Sequence, residues 1–218
     1  MTGKRFFLTS LILCLTLISG GLAAAQTADP LPSWNEGKAK QSIINFVTKV
    51  TKAGSPDFVP PAERIAVFDN DGTLWTEMPV PFQLAYALDT LKQMAAEKPE
   101  LPKDPMVKAA LDGNVAKLLE GPHYEGLMRI VALTHAGMTT GEFKARVEKW
   151  LATARHPRYG KPYDQLTYQP MQEVLSYMRA NGFKTFIVSG GGADFMRTWS
   201  ERVYSIPPEQ VVGSTALT

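Results

Sequence analysis

Cysteine and histidine are scarce: the 218 residues hold one cysteine, Cys14, and three histidines. Cys14 lies in an apolar segment near the N-terminus, so a chain that loses this segment has neither a disulfide nor a thiol catalyst. His123, His135 and His156 have no metal-ligand spacing, and each reads as a structural side chain. A strong excess of charge of one sign is also missing. The formal net charge of +2 gives no electrostatic ground for a nucleic-acid partner. There is no internal repeat and no low-complexity tract. The apolar run over residues 6–18 is shorter than the roughly 20 residues a membrane span needs.

The N-terminus instead has the layout of a secretory leader. Lys4 and Arg5 precede the apolar run, and Ser19-Gly20-Gly21-Leu22-Ala23-Ala24-Ala25 follows it. Cleavage is expected after Ala25, giving a periplasmic or secreted protein with no stable membrane association. Losing Lys4 and Arg5 lowers the 23 basic residues to 21, equal to the 21 acidic ones. The remainder is long enough for one domain with a real core, and its 44% hydrophobic and 20% charged residues are ordinary for a globular protein.

The most informative stretch is Ile65-Ala66-Val67-Phe68-Asp69-Asn70-Asp71-Gly72-Thr73-Leu74. Four apolar residues rich in β-formers run into two acids and a glycine, which reads as a buried strand ending in a tight polar loop. In open α/β sheets ligands bind at the carboxyl ends of the strands. Two carboxylates at i and i+2 can hold one hard divalent cation and leave an oxygen free for chemistry. Gly72 allows a sharp turn and a close approach to a bound group. The bland reading is a solvated Asp-Gly turn. A calcium loop starting at Asp69 fails, because Leu74 and Val80 stand where Gly and Glu are required.

Elsewhere the pattern is mostly helical. Ser33-Trp34-Asn35-Glu36 fits a capping box before a helix with Ile43, Ile44, Phe46, Val47 and Val50 on one face. Residues 76–167 show helix signals and no comparable strand. Pro81 starts one helix, Asp104-Pro105 caps another, a third covers 124–136, and Thr139-Thr140-Gly141-Glu142 opens a fourth. A helix from Gln169 with Val174, Leu175 and Met178 follows, then a strand ending at Ser189-Gly190-Gly191. A helix over 193–204 and a short strand over 210–214 close the pattern.

Phe68-Asp69-Asn70-Asp71-Gly72-Thr73-Leu74 resembles the first motif of the haloacid dehalogenase-like (HAD) hydrolase superfamily. The strand 183–191, with its Ser189-Gly190-Gly191 ending, resembles the second, in the form of the phosphoserine phosphatase branch. The resemblance covers roughly residues 65–214. It implies a Rossmann-like parallel sheet with an inserted helical type-1 cap. Asp69 and Ser189 are 120 residues apart, whereas a direct crossover unit takes about 30. An insert of about 80 to 90 residues is therefore expected. The expected layout is a leader at 1–25, a leading helix and first strand at 26–75, the cap at 76–167, and the second part of the core at 168–218.

The resemblance also implies the chemistry. Asp69 is the nucleophile and Asp71 the general acid and then base. Magnesium is held by the Asp69 side chain and the Asp71 backbone carbonyl. Phosphatases of the superfamily have Asp two residues after the nucleophile, so Asp71 points to cleavage of a small phosphate monoester. Ser189 and the Gly190 N–H, with Gly72, contact phosphate oxygens; a helix N-cap is the alternative role for Ser189. Glu77 corresponds, offset by one position, to a substrate-facing acid. Arg129, Arg155 and Arg158 read as solvated.

The family's motif lysine and late acidic pair have no counterpart after the third strand. An incomplete sheet of about three of the usual five strands is thus expected, with an uncovered edge beside the first strand and impaired activity. Two other functions remain open on the residues: a metal-dependent sugar-nucleotide transferase, and a non-catalytic exported protein that binds a phosphate ligand. The glycine run is neither a P-loop, a dinucleotide fingerprint nor a serine-hydrolase elbow.

Overall fold

The computed structural model describes residues 28–215. The expected leader and Cys14 lie outside them. Among the described residues no helix is long and apolar enough to cross a membrane.

Three parallel strands form the sheet, in the order β1 (Ile65–Phe68), β2 (Lys184–Gly192), β3 (Val211–Ser214). β1 and β2 are joined through five helices: α2 (Phe82–Glu97), α3 (Pro105–Leu111), α4 (Val115–Leu118), α5 (Glu125–His135) and α6 (Thr140–Thr153). A sixth, α7 (Gln169–Ala180), leads into β2. α8 (Ala193–Arg197) and α9 (Ser200–Tyr204) join β2 to β3. This is the expected α/β class, a Rossmann-like parallel sheet with helices inserted after the first strand.

Local signals produce these helices where they stand alone. The Asp104 carboxylate accepts from the Met106 and Val107 N–H groups, satisfying two orphan donors of α3. Thr139 and Glu142 form a reciprocal capping box on α6. The leading helix α1 (Lys38–Thr51) differs from expectation. Its N-cap is Gly37, without a side-chain bond. Ser33 and Glu36 are drawn elsewhere: Ser33 bonds Glu173 of α7, and Glu36 pairs with Lys40. Of its expected stripe, Val47 and Val50 are buried while Phe46 is exposed. The stretch 193–204 is two short helices, interrupted at Trp199, whose φ of −134° is not helical.

Both connections run in the same direction along the sheet, and right-handed crossovers place their helices on one face. On that face Thr185, Ile187 and Val211 are buried. The other face carries Ile65, Val67, Val188 and Val212, all exposed. β1 is therefore an edge strand rather than a buried one, with Ile65 57% and Val67 58% exposed. An apolar strand is buried only by what lies beside and over it, and among the described residues nothing pairs with its free edge.

The main core gathers Leu74, Trp75, Phe82, Tyr86, Trp199 and Ile187, together with Val147 and Leu151 of α6. A second cluster, including Leu91, Val107, Leu118 and Ile130, holds α2–α5 together. α1 packs Val47 and Val50 on Phe183, with Ala66, Tyr177 and Met178 beside them.

Candidate active site

The loop after β1 is built around one carbonyl. Asn70 O accepts from the N–H groups of Thr73, Leu74 and, at 3.4 Å, Trp75. Gly72 N–H donates to Trp75 O at 2.9 Å. The loop is tied to the returning chain by Thr76 N–H on Leu166 O and Tyr168 N–H on Leu74 O. The start and end of the helical segment therefore lie side by side.

This folding presents the two acids differently. Asp69 is exposed, and its Oδ1 accepts from Asn70 N–H at 2.7 Å. Asp71 is half-buried, and its Oδ1 accepts from the Trp75 indole Nε1–H at 2.6 Å. Burial raises the Asp71 carboxyl above the ordinary carboxylate range, the Trp75 donation works against this, and Asp69 and Glu77 raise it further. Asp71 thus keeps its proton to higher pH than a free carboxyl does. Trp75 is itself fixed, fully buried with its ring 4.0 Å from that of Trp199 and 4.4 Å from that of Phe82.

Gly72 has φ +70°, and a Cβ there would stand 2.9 Å from the Glu77 carboxyl carbon. Glu77 thus folds back over the loop, beside the acids. The flexible Glu77 side chain could move aside, but the positive φ could not be relieved. Gly72→Ala is therefore expected to destabilise the fold by about 1–2 kcal/mol. Urea unfolding checks this, and an unchanged midpoint would show that the loop has no such demand.

The register brings the second motif to the same sheet end. Phe68 lies opposite Ile187, so Asp69 and Ser189 emerge together at the carboxyl edge. Ser189 is not a helix N-cap; that position belongs to Gly192. Its Oγ instead accepts from Gly191 N–H at 3.3 Å, and Gly190 O accepts from Ser214 Oγ at 2.9 Å. Pairing of β2 with β3 is irregular between Val188 and Gly192, which turns the glycine run out of the regular ladder.

Among the described residues, no Lys or Arg forms an ion pair with Asp69, Asp71 or Glu77. Nor do three or more His, Cys, Asp or Glu side chains converge into a ready metal cluster. The available donors are hard oxygens on acids that no lysine or arginine among the described residues pairs with, a set that suits a magnesium-type ion keeping several waters. Two of the other candidates are held in structural contacts. His156 is buried, with Nε2 2.7 Å from Met78 O, and Arg129 pairs with Asp104.

Two side chains at this site carry no sequence signal of their role. Trp75 lies just past the motif, four residues from the acid it bonds. Gln83 comes from α2, and its Oε1 accepts from Gly192 N–H across 109 positions of sequence.

Comparison with known proteins gives the site its family. A solved structure of a phosphoserine phosphohydrolase-like protein from Francisella tularensis subsp. tularensis SCHU S4 is 17% identical, with a TM-score of 0.38. The similarity covers 71% of this chain and 59% of that one. No curated protein matches the sequence. The profile of the haloacid dehalogenase-like hydrolases matches residues 66–217, the greater part of the chain and both strand-end motifs. The chain therefore belongs to the haloacid dehalogenase-like hydrolase family.

Proposed function

We propose that the protein hydrolyses small phosphate monoesters through a phosphoryl group carried on Asp69. The observation that carries this reading is the unlike pair at the end of β1, an exposed Asp69 beside a half-buried Asp71 that is held by the Trp75 indole and whose carboxyl burial raises above the ordinary range. An Asp69 oxygen forms the new bond to phosphorus as the ester P–O bond breaks, and Asp71 gives its proton to the departing oxygen. Water then attacks the phosphoryl group, Asp71 takes the water proton, and inorganic phosphate leaves with the Asp69 carboxylate restored. Ser189 and the Gly190 N–H are proposed to contact the transferred oxygens, together with Gly72. Glu77, folded over the loop, is proposed to face the rest of the substrate.

Family members generally use magnesium. Here the Asp69 side chain and the Asp71 carbonyl would hold it, and its charge would offset that of the phosphate. The test is hydrolysis of a panel of phosphate monoesters, including p-nitrophenyl phosphate, with magnesium and with chelator. Magnesium-dependent release of phosphate is expected, at a low rate, because among the described residues no lysine or arginine pairs with Asp69 and no ready cluster of three metal ligands forms. Phosphate binding without turnover would favour a binding protein instead.

We propose also that the protein is exported. Mass spectrometry of an osmotic-shock fraction is expected to find an N-terminus at Gln26; an intact Met1 in the cytoplasm would count against export.

A further inference from the structure

We propose that Gln83 and His135 are positioning residues that fix the glycine run after Ser189, so that the helical segment sets the geometry of the phosphate-contacting loop. The proposal rests on the phosphohydrolase reading above. Gln83 stands in the first turn of α2, and His135 ends α5. Gly192 N–H donates to Gln83 Oε1 at 2.7 Å, and Gln83 Nε2 lies 3.2 Å from His135 Nε2.

The hydrogen-bond network allows one set of proton positions. Gly192 N–H can only donate, so Gln83 Oε1 faces it and the Gln83 amide nitrogen faces His135 Nε2; Thr134 Oγ1, 2.8 Å from Ile130 O to which it can donate, stands 2.8 Å from His135 Nδ1 and can accept from it. His135 then carries its proton on Nδ1, which leaves the Nε2 lone pair to accept from the Gln83 amide. A chain of donors and acceptors runs from the α5 backbone to the glycine loop with no proton in conflict. Burial pushes His135 down to about 4, which keeps it neutral in this role, and its ring is held edge-on by Tyr86.

Gly192 supplies an independent sign. Its φ of −68° is open to any residue, so its backbone conformation does not call for glycine. A Cβ there would stand 2.6 Å from Gln83 Nε2 and 3.1 Å from Oε1. The missing side chain is what lets the carboxamide reach the loop.

Gln83 contacts the loop, and His135 acts only through Gln83. Gln83→Leu is expected to raise the inhibition constant of inorganic phosphate about tenfold, the equivalent of one ordinary hydrogen bond, with kcat changed less than about threefold. Gly192→Ala, which pushes the carboxamide out, is expected to act the same way. His135→Phe keeps the aromatic packing and is expected to cost about threefold alone, but nothing further in the Gln83→Leu background. A merely structural role would lower stability and leave these constants alone.

The wild-type protein provides a reading that needs no variant. Nitrogen-15 NMR is expected to show His135 as the Nδ1–H tautomer and Gly192 as an exchange-protected amide. An Nε2–H tautomer, or additive effects of the two substitutions, would overturn the proposal. A protein that neither hydrolyses phosphate esters nor is inhibited by phosphate would defeat the phosphohydrolase reading. In that case an Nδ1–H tautomer with a protected Gly192 amide supports the bridge, and any other result overturns it.

Discussion

Asp69→Asn is expected to abolish phosphate-ester turnover while leaving the fold intact. Asp69 is exposed at the tip of β1, and among the described residues its side chain makes one hydrogen bond, to the neighbouring Asn70 N–H. An amide oxygen there can still accept that bond, so little stability is at stake. The proposed nucleophile is lost, because a neutral carboxamide attacks phosphorus far less readily than a carboxylate. Thermal unfolding and a p-nitrophenyl phosphate assay with magnesium separate the two effects. Near-normal turnover in a folded Asp69→Asn protein would remove Asp69 from the chemistry.

Asp71→Asn is expected to lower turnover by a factor on the order of 10²–10⁴, the usual worth of a positioned acid–base group. The loss should depend on the leaving group. An alkyl phosphate needs its departing oxygen protonated, whereas p-nitrophenolate departs readily without help. The variant should therefore be hurt more on an alkyl ester than on p-nitrophenyl phosphate. Asparagine can keep an oxygen for the Trp75 indole, so the loop geometry that depends on this 2.6 Å bond is preserved. Equal losses on both esters would indicate that Asp71 does something other than donate the proton.

What the sequence reveals here is what is written locally. Asp104-Pro105 and Thr139 to Glu142 start helices because their side chains bond N–H groups two or three residues away. The run 65–68 forms a strand, and the acids follow it into a turn, for equally local reasons. The Ser33–Glu36 pattern fails because both side chains find other partners: the Ser33 hydroxyl donates to Glu173 of α7, and Glu36 accepts from Lys40. The exposure of Ile65 and Val67 depends on what lies beside β1, to which its own composition is blind. Gln83 belongs to the candidate site through a contact 109 positions away, and no period or motif marks it. Asp71 is identifiable in the sequence as the acid two residues after Asp69. Its raised proton affinity is not, since that comes from burial and from Trp75, Asp69 and Glu77 around it.

The central claim is that Asp69 carries the phosphoryl group. The direct measurement is acid quenching during steady turnover of a phosphate ester, followed by peptide mass spectrometry of the trapped protein. A single acid-stable, base-labile phosphoryl group on Asp69 is the result expected, absent in Asp69→Asn. Sustained turnover with no phosphoryl group on Asp69, or with one on another residue, would contradict the account.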